Sequence, residues 1–332
     1  MTSFAIRLNA TDDDPIILEL LSHFIEGMTD HTLVTAECAA DALEAIKDNA
    51  RAPFDSFLLD IQMPVTDGIQ LASQIRAMKQ YMDAPILMLT AMSEKSYIDA
   101  AFSAGATDYV TKPFEMTELK ARLSLVERAV DGLATRTSKV FAAKAVTHHD
   151  GRPERAVQLH EPMAIHDVNN LIEFMALENY VQQLSRSDLF GSICFAFNIR
   201  DVEIFHENMS NFEFCSMLSD VGEIISDTLE GCQFLMSYAG GGTFVCITES
   251  GWRPDPKLLA NNINISLAKT ELFDNRGQHI NPRICAGKAV RLMWKTNSSV
   301  MDALSEAHAS AEEATANYQK VQNDFWNVGR TA

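Results

Sequence analysis

At 332 residues, 47% of them hydrophobic and 22% charged, the chain is too long for one ordinary domain and fits two, each with enough apolar sequence to bury a core. A formal net charge of −18 disfavours nucleic acid and anionic membrane surfaces as partners, because both repel an acidic chain that carries no basic patch. No run approaches about 18 apolar residues, residues 1–10 have neither a basic start nor a long apolar stretch, and the six scattered cysteines lack disulfide or metal-ligand spacing. The expectation is a soluble, cytoplasmic protein with reduced thiols buried among apolar neighbours.

In chain order, short apolar runs at residues 4–8, 32–36, 56–59, 85–89 and 108–110 predict strands. Between and after them, residues 16–25, 39–46, 69–78, 96–104 and 116–130 carry apolar positions at helical spacing, with Gly105 placed as a helix stop. Five such alternations predict a flavodoxin-like, doubly wound parallel sheet of class α/β, whose functional crevice lies at the carboxyl ends of the strands. Residues 5–10 are more polar than a strand covered on both faces, so an interior or an edge place stays open for the first strand. The apolar pattern of the last helix runs on through Leu133, Val140, Phe141 and Ala145, until Gly151, Pro153 and Pro162 break it. A second block follows: helix 168–184, strand 193–199, helix 214–229, strands 234–238 and 244–248 around Gly240, Gly241 and Gly242, helix 256–268, strand 283–290 and a long Ala-rich helix 300–325. It predicts an α/β domain with a mixed or antiparallel sheet. The domain bounds are 1–130, a helical extension and linker at 131–165, and 166–328. The linker residues His148 and His149 are expected to be solvated, and Trp252, Trp294 and Trp326 to be core or rim aromatics.

Asp12, Asp13 and Asp14 follow the first strand and Asp60 ends the third. Converging carboxylates repel one another unless a hard cation shares them, and Mg²⁺ takes one or two carboxylates plus water and phosphate oxygens. Transfer of a phosphoryl group to a carboxylate asks the protein mainly to align the nucleophile and offset charge, work suited to Lys112 after the fifth strand and the hydroxyl of Thr90 after the fourth. Taken alone, the Asp triplet before Pro15 is equally a helix cap, Thr90 a strand end and Lys112-Pro113 a loop.

The motifs Asp-Asp-Asp-Pro at 12–15, Leu-Asp-Ile-Gln-Met-Pro-Val-Thr-Asp-Gly at 59–68, Leu-Thr-Ala at 89–91 and Thr-Lys-Pro-Phe at 111–114 resemble, in order and interval, the receiver domains of two-component response regulators. The resemblance covers residues 4–128. It implies phosphorylation of Asp60, Mg²⁺ held by Asp12, Asp13 and Asp60, a phosphoryl group gripped by Thr90 and Lys112, and Tyr109 as the switch aromatic. It also implies a sensor histidine kinase or phosphotransfer protein as donor and a downstream protein as partner. A homodimer through the continued helix is compatible with the same pattern.

In the second block, the segment Tyr238-Ala239-Gly240-Gly241-Gly242-Thr243-Phe244 resembles the hairpin that names the GGDEF diguanylate cyclases. Gly242 and Thr243 stand where that family has its two acids, and Arg200 falls on a metal-binding Asp. Cyclising GTP needs metals held by carboxylates, so the resemblance implies a degenerate, catalytically inactive domain that takes no cofactor. Alternatives stay open: a plain glycine turn, a phosphate cradle, nucleotide or cyclic-dinucleotide sensing, or residual cyclase activity.

Overall fold

The computed structural model describes residues 5–91, 95–144, 157–166, 168–184, 189, 191–248, 251–274, 276–292 and 297–328. The chain divides into two units, Met1–Pro153 and Glu154–Ala332. His148, His149 and Trp294 lie outside the described residues.

In the first unit, the apolar runs form β1 (Arg7–Thr11), β2 (Thr32–Ala36), β3 (Ser56–Asp60), β4 (Ile86–Thr90) and β5 (Asp108–Thr111). The periodic segments form α1 (Pro15–Met28), α2 (Ala39–Asp48), α3 (Gly68–Arg76), α4 (Lys95–Ser103) and α5 (Met116–Lys144). All strand pairs are parallel, in the order β2-β1-β3-β4-β5. The chain therefore reverses its winding between β1 and β3, and the crevice of such a sheet opens at their carboxyl ends. One face of the sheet packs Leu8, Ala10, Leu58, Leu87 and Val110 against Leu21 and Ile25 of α1 and Leu119 and Leu123 of α5. Each such leucine, isoleucine or valine contributes about 1.5–3 kcal/mol of burial. The α5 backbone runs to Lys144, as the continued apolar pattern predicts.

One detail of this unit departs from the sequence reading, and one place that it left open is filled. The first strand starts three residues later than predicted and is interior, paired on both sides. Its polarity is accommodated internally: Asn9 Nδ2 donates to the Val34 carbonyl at 3.2 Å and Thr11 Oγ1 to Asn9 Oδ1 at 3.0 Å. Arg7 leaves the strand end to donate to the Ala52 carbonyl and to Asn49 Oδ1, with its guanidinium over the Phe54 ring.

The second unit contains α6 (Phe174–Gln183), β6 (Ile193–Ile199), α7 (Val202–Asn208), α8 (Asn211–Thr228), β7 (Phe234–Tyr238) and β8 (Thr243–Thr248). It continues with α9 (Pro256–Lys269), β9 (Leu272–Phe273), β10 (His279–Ile280), β11 (Ile284–Ala286), β12 (Val290–Arg291) and α10 (Asn297–Val328). The main sheet runs β11-β6-β8-β7 with antiparallel pairs, and β12 also pairs with β6. Its core joins Phe195, Phe197, Phe214, Leu218, Tyr238 and Phe244, with Trp252 packed edge-on against Phe195.

Two predicted elements are corrected by the structure, and one helix of this unit was not predicted. Helix 168–184 begins only at Phe174, because residues 170–172 instead extend the sheet: Met236 N–H donates to the Asn170 carbonyl and Ile172 N–H to the Met236 carbonyl. A separate helix, α7, precedes α8, whose start is fixed by the Ser210–Glu213 capping box. Strand 283–290 is two short strands, since Lys288 N–H turns to the Ser310 hydroxyl of α10 rather than to a neighbouring strand. Of the thiols, Cys194, Cys246 and Cys285 are buried, whereas Cys38, Cys215 and Cys232 are partly exposed.

Candidate functional site

The loop after β1 separates the roles of three consecutive acids. Asp14 caps α1, its Oδ1 accepting from Ile16 N–H at 2.9 Å, with Pro15 in the first turn. Asp12 is fully buried and its Oδ1 accepts from Asp14 N–H at 3.1 Å. The cap reading therefore holds for Asp14 and leaves Asp12 and Asp13 for other work.

Asp60 ends β3, beside β1 in the sheet. Carboxylate oxygens of Asp12, Asp13 and Asp60 lie within 4.8 Å of one another. Lys112, following β5, reaches the same point, with Nζ 2.7 Å from Asp12 Oδ2 and 2.9 Å from Asp60 Oδ1. The Lys112 ammonium is thus shared between the two carboxylates. Burial raises the Asp60 carboxyl above its ordinary range, the Lys112 ammonium pulls it back, and the Asp12 charge pushes it up again. Burial lowers Lys112, but contact with Asp12 and Asp60 outweighs it, so the ammonium is held charged. Three carboxylates against one cation leave an acidic surplus, and an all-oxygen donor set is the kind that Mg²⁺ accepts.

The neighbouring strand ends complete the crevice. Thr90 is buried at the end of β4, and its carbonyl accepts Lys112 N–H at 2.6 Å. Tyr109 on β5 is buried edge-on against Phe102 of α4, with ring centroids 6.2 Å apart. The Lys112-Pro113 peptide is cis. After β3, Gly68 N–H donates to the Ile61 carbonyl at 3.0 Å, and a Cβ at Gly68 would sit 2.0 Å from the Asp60 carbonyl oxygen. Asp67 then caps α3 through Gln70 N–H at 2.7 Å. Only glycine lets α3 start this close to Asp60.

A family profile described as response regulator receiver domain matches residues 10–124. Response regulator MprA from Mycobacterium bovis is 32% identical over 161 residues, covering 47% of this chain and 67% of that relative. The chain belongs to the response regulator family. Transcriptional regulatory protein PrrA from Mycobacterium tuberculosis is 35% identical over 135 residues, covering 41% of this chain and 55% of that relative. Transcriptional regulatory protein RprY from Bacteroides fragilis is 32% identical over 136 residues with the same two coverages, so the chain spans about half the length of these relatives. Among solved structures, chemotaxis protein CheY4 of Vibrio cholerae is 28% identical, covers 37% of this chain and 99% of that chain, and aligns with a TM-score of 0.34. The acidic crevice thus lies within the receiver domain, and no helix among the described residues is long and apolar enough to cross a membrane.

In the second unit, Gly240, Gly241 and Gly242 form the turn between β7 and β8 with φ of 91°, 60° and 77°. Two of their amides are already committed: Gly241 N–H to the Leu159 carbonyl at 2.6 Å and Gly242 N–H to the Tyr238 hydroxyl at 3.1 Å. These bonds argue against a phosphate cradle. Thr243 is fully buried, and Asn198 Nδ2 ties its hydroxyl and the Gly241 carbonyl at 2.9 and 2.8 Å. Burial pushes the Tyr238 hydroxyl up to about 12, partly offset by the Gly242 hydrogen bond. Phe244 packs on the Tyr238 ring at 5.3 Å. Arg200 follows β6 beside this turn, since Ile199 N–H donates to the Gly242 carbonyl at 2.9 Å. The tie through Asn198 was not expected from the sequence, where nothing marks it apart from other strand residues.

Proposed function

We propose that this response regulator accepts a phosphoryl group on Asp60 and signals through phosphorylation-dependent protein contact or dimerisation. The supporting observation is the convergence of Asp12, Asp13, Asp60 and Lys112 on one point. Asp12, Asp13 and Asp60 would hold Mg²⁺. When bound, the cation supplies positive charge against phosphoryl oxygens. A carboxylate oxygen of Asp60 forms a bond to phosphorus while the bond from phosphorus to the donor's imidazole nitrogen breaks. The product is an acyl phosphate, and the released imidazole belongs to a sensor kinase or phosphotransfer protein. Lys112 offsets charge on the transferred group, and Thr90 and Tyr109 carry the change toward the face of α4 and β5.

The second unit is read as a degenerate cyclase-like domain that takes no cofactor and acts as effector or scaffold, with domain bounds of 1–130, 131–165 and 166–328. Support for that reading is the glycine turn between antiparallel strands, with Gly242, Thr243 and Arg200 at the positions of three acids. Some relatives are named transcriptional regulatory proteins. A net charge of −18 favours protein over nucleic acid as this chain's partner. The test is light scattering of wild type and Asp60→Asn with Mg²⁺ and beryllofluoride, with GTP turnover assayed on the same samples. A change of mass or shape in wild type alone, without turnover, is expected. Turnover would overturn the inactive reading, and equal behaviour of the two proteins would overturn the switch.

A further inference from the structure

A cavity of about 500 Å³ opens in the second unit, lined by residues of the β6–α7 junction, α9, the segment before β11, and α10. Two arginines dominate it. Arg200 N–H donates to the Arg283 carbonyl at 2.7 Å, so these residues lie side by side across β6 and β11. Arg200 is held by Nε to Cys285 Sγ at 3.2 Å and Nη2 to the Ile284 carbonyl at 3.4 Å, with its guanidinium 3.6 Å over the Tyr318 ring. Arg283 donates through Nη1 to the Asn264 carbonyl at 2.9 Å, and Asn264 in turn brackets the backbone of Ile284.

A guanidinium has five N–H donors, of which, among the described residues, Arg200 spends two and Arg283 one. No carboxylate among the described residues pairs with either. The acid of the lining, Asp201, is exposed and its Oδ1 accepts from Gln319 Nε2 at 2.8 Å. Two half-buried cations that line one cavity are costly unless an anion enters it, and phosphate oxygens match the fork of a guanidinium. The volume falls in the range of sites for nucleotide-sized ligands and exceeds what a lone phosphate needs.

We propose that this cavity binds a phosphate-bearing small molecule of nucleotide size, with its phosphate between Arg200 and Arg283 and no divalent cation, because the two guanidinium groups repel one. The inference is independent of whether the unit is cyclase-like. The test is calorimetric titration of the full chain with GTP and with pyrophosphate, in EDTA so that the acidic crevice of the receiver domain holds no metal. Both probes bind wild type, more weakly as salt rises, and Arg283→Gln weakens binding by about tenfold or more. Should Arg283→Gln fail to fold, Asn281→Asp, at an exposed position of the lining, gives the same direction through charge repulsion. Absence of binding by either probe, binding that requires Mg²⁺, or affinities unchanged in every folded variant would overturn the proposal.

Discussion

Gly68 and Val65 bracket the loop after Asp60 and make opposite demands on their side chains. Gly68→Ala would drive a methyl group into the Asp60 carbonyl. The expected outcome is a loss of about 2–4 kcal/mol in the receiver domain together with lost phosphoryl acceptance, read by chemical denaturation and intact mass. Val65 is fully exposed with φ of 72°, a conformation that costs an L-residue roughly 1–2 kcal/mol and a β-branched one more. Val65→Gly relieves that strain without losing packing, so the denaturation midpoint rises and phosphorylation is retained. A fall in the midpoint would contradict this account of the loop.

Burial of thiols on two adjacent strands ties the second unit's stability to pH. Burial raises Cys194 on β6 and Cys246 on β8 above their ordinary value of 9.0, and both thiols stay protonated in the folded state. Below pH 9 folded and unfolded chains both hold these protons; above it the unfolded chain releases them first, so stability falls as pH rises. All three tryptophans, Trp252, Trp294 and Trp326, belong to this unit, so tryptophan-detected denaturation reads it alone. The midpoint drops between pH 7.5 and 10, and drops less in Cys194→Ala/Cys246→Ala; equal drops would contradict the burial argument. The elements themselves were mostly legible, because apolar runs bounded by Asp60, Thr90 and Gly105 mark where strands and helices stop. What stayed hidden depends on pairing rather than periodicity. The polarity of residues 5–10 left the place of the first strand open, because the partners of Asn9 come from β2 and from Thr11. Residues 170–172 read as helix because their hydrogen bonds come from β7, 64 positions along the chain in the case of Ile172 and Met236.

At the scale of the whole molecule, the acidic crevice was legible because each motif residue sits at the end of its own strand, and a parallel sheet brings such ends together without any register having to be known. The antiparallel second unit gives no such help: that Arg200 and Arg283 are neighbours follows from the β6–β11 register, which no sequence spacing announces. Chemistry at Asp60 is therefore the firmest point from which to test the response regulator as a signalling protein. The most direct measurement is intact mass after incubation with acetyl phosphate, for wild type and Asp60→Asn, with Mg²⁺ or with EDTA. The account predicts the gain of one phosphoryl group in wild type with Mg²⁺ and in no other sample. A gain that persists in Asp60→Asn or in EDTA, or its absence from wild type with Mg²⁺, would contradict it.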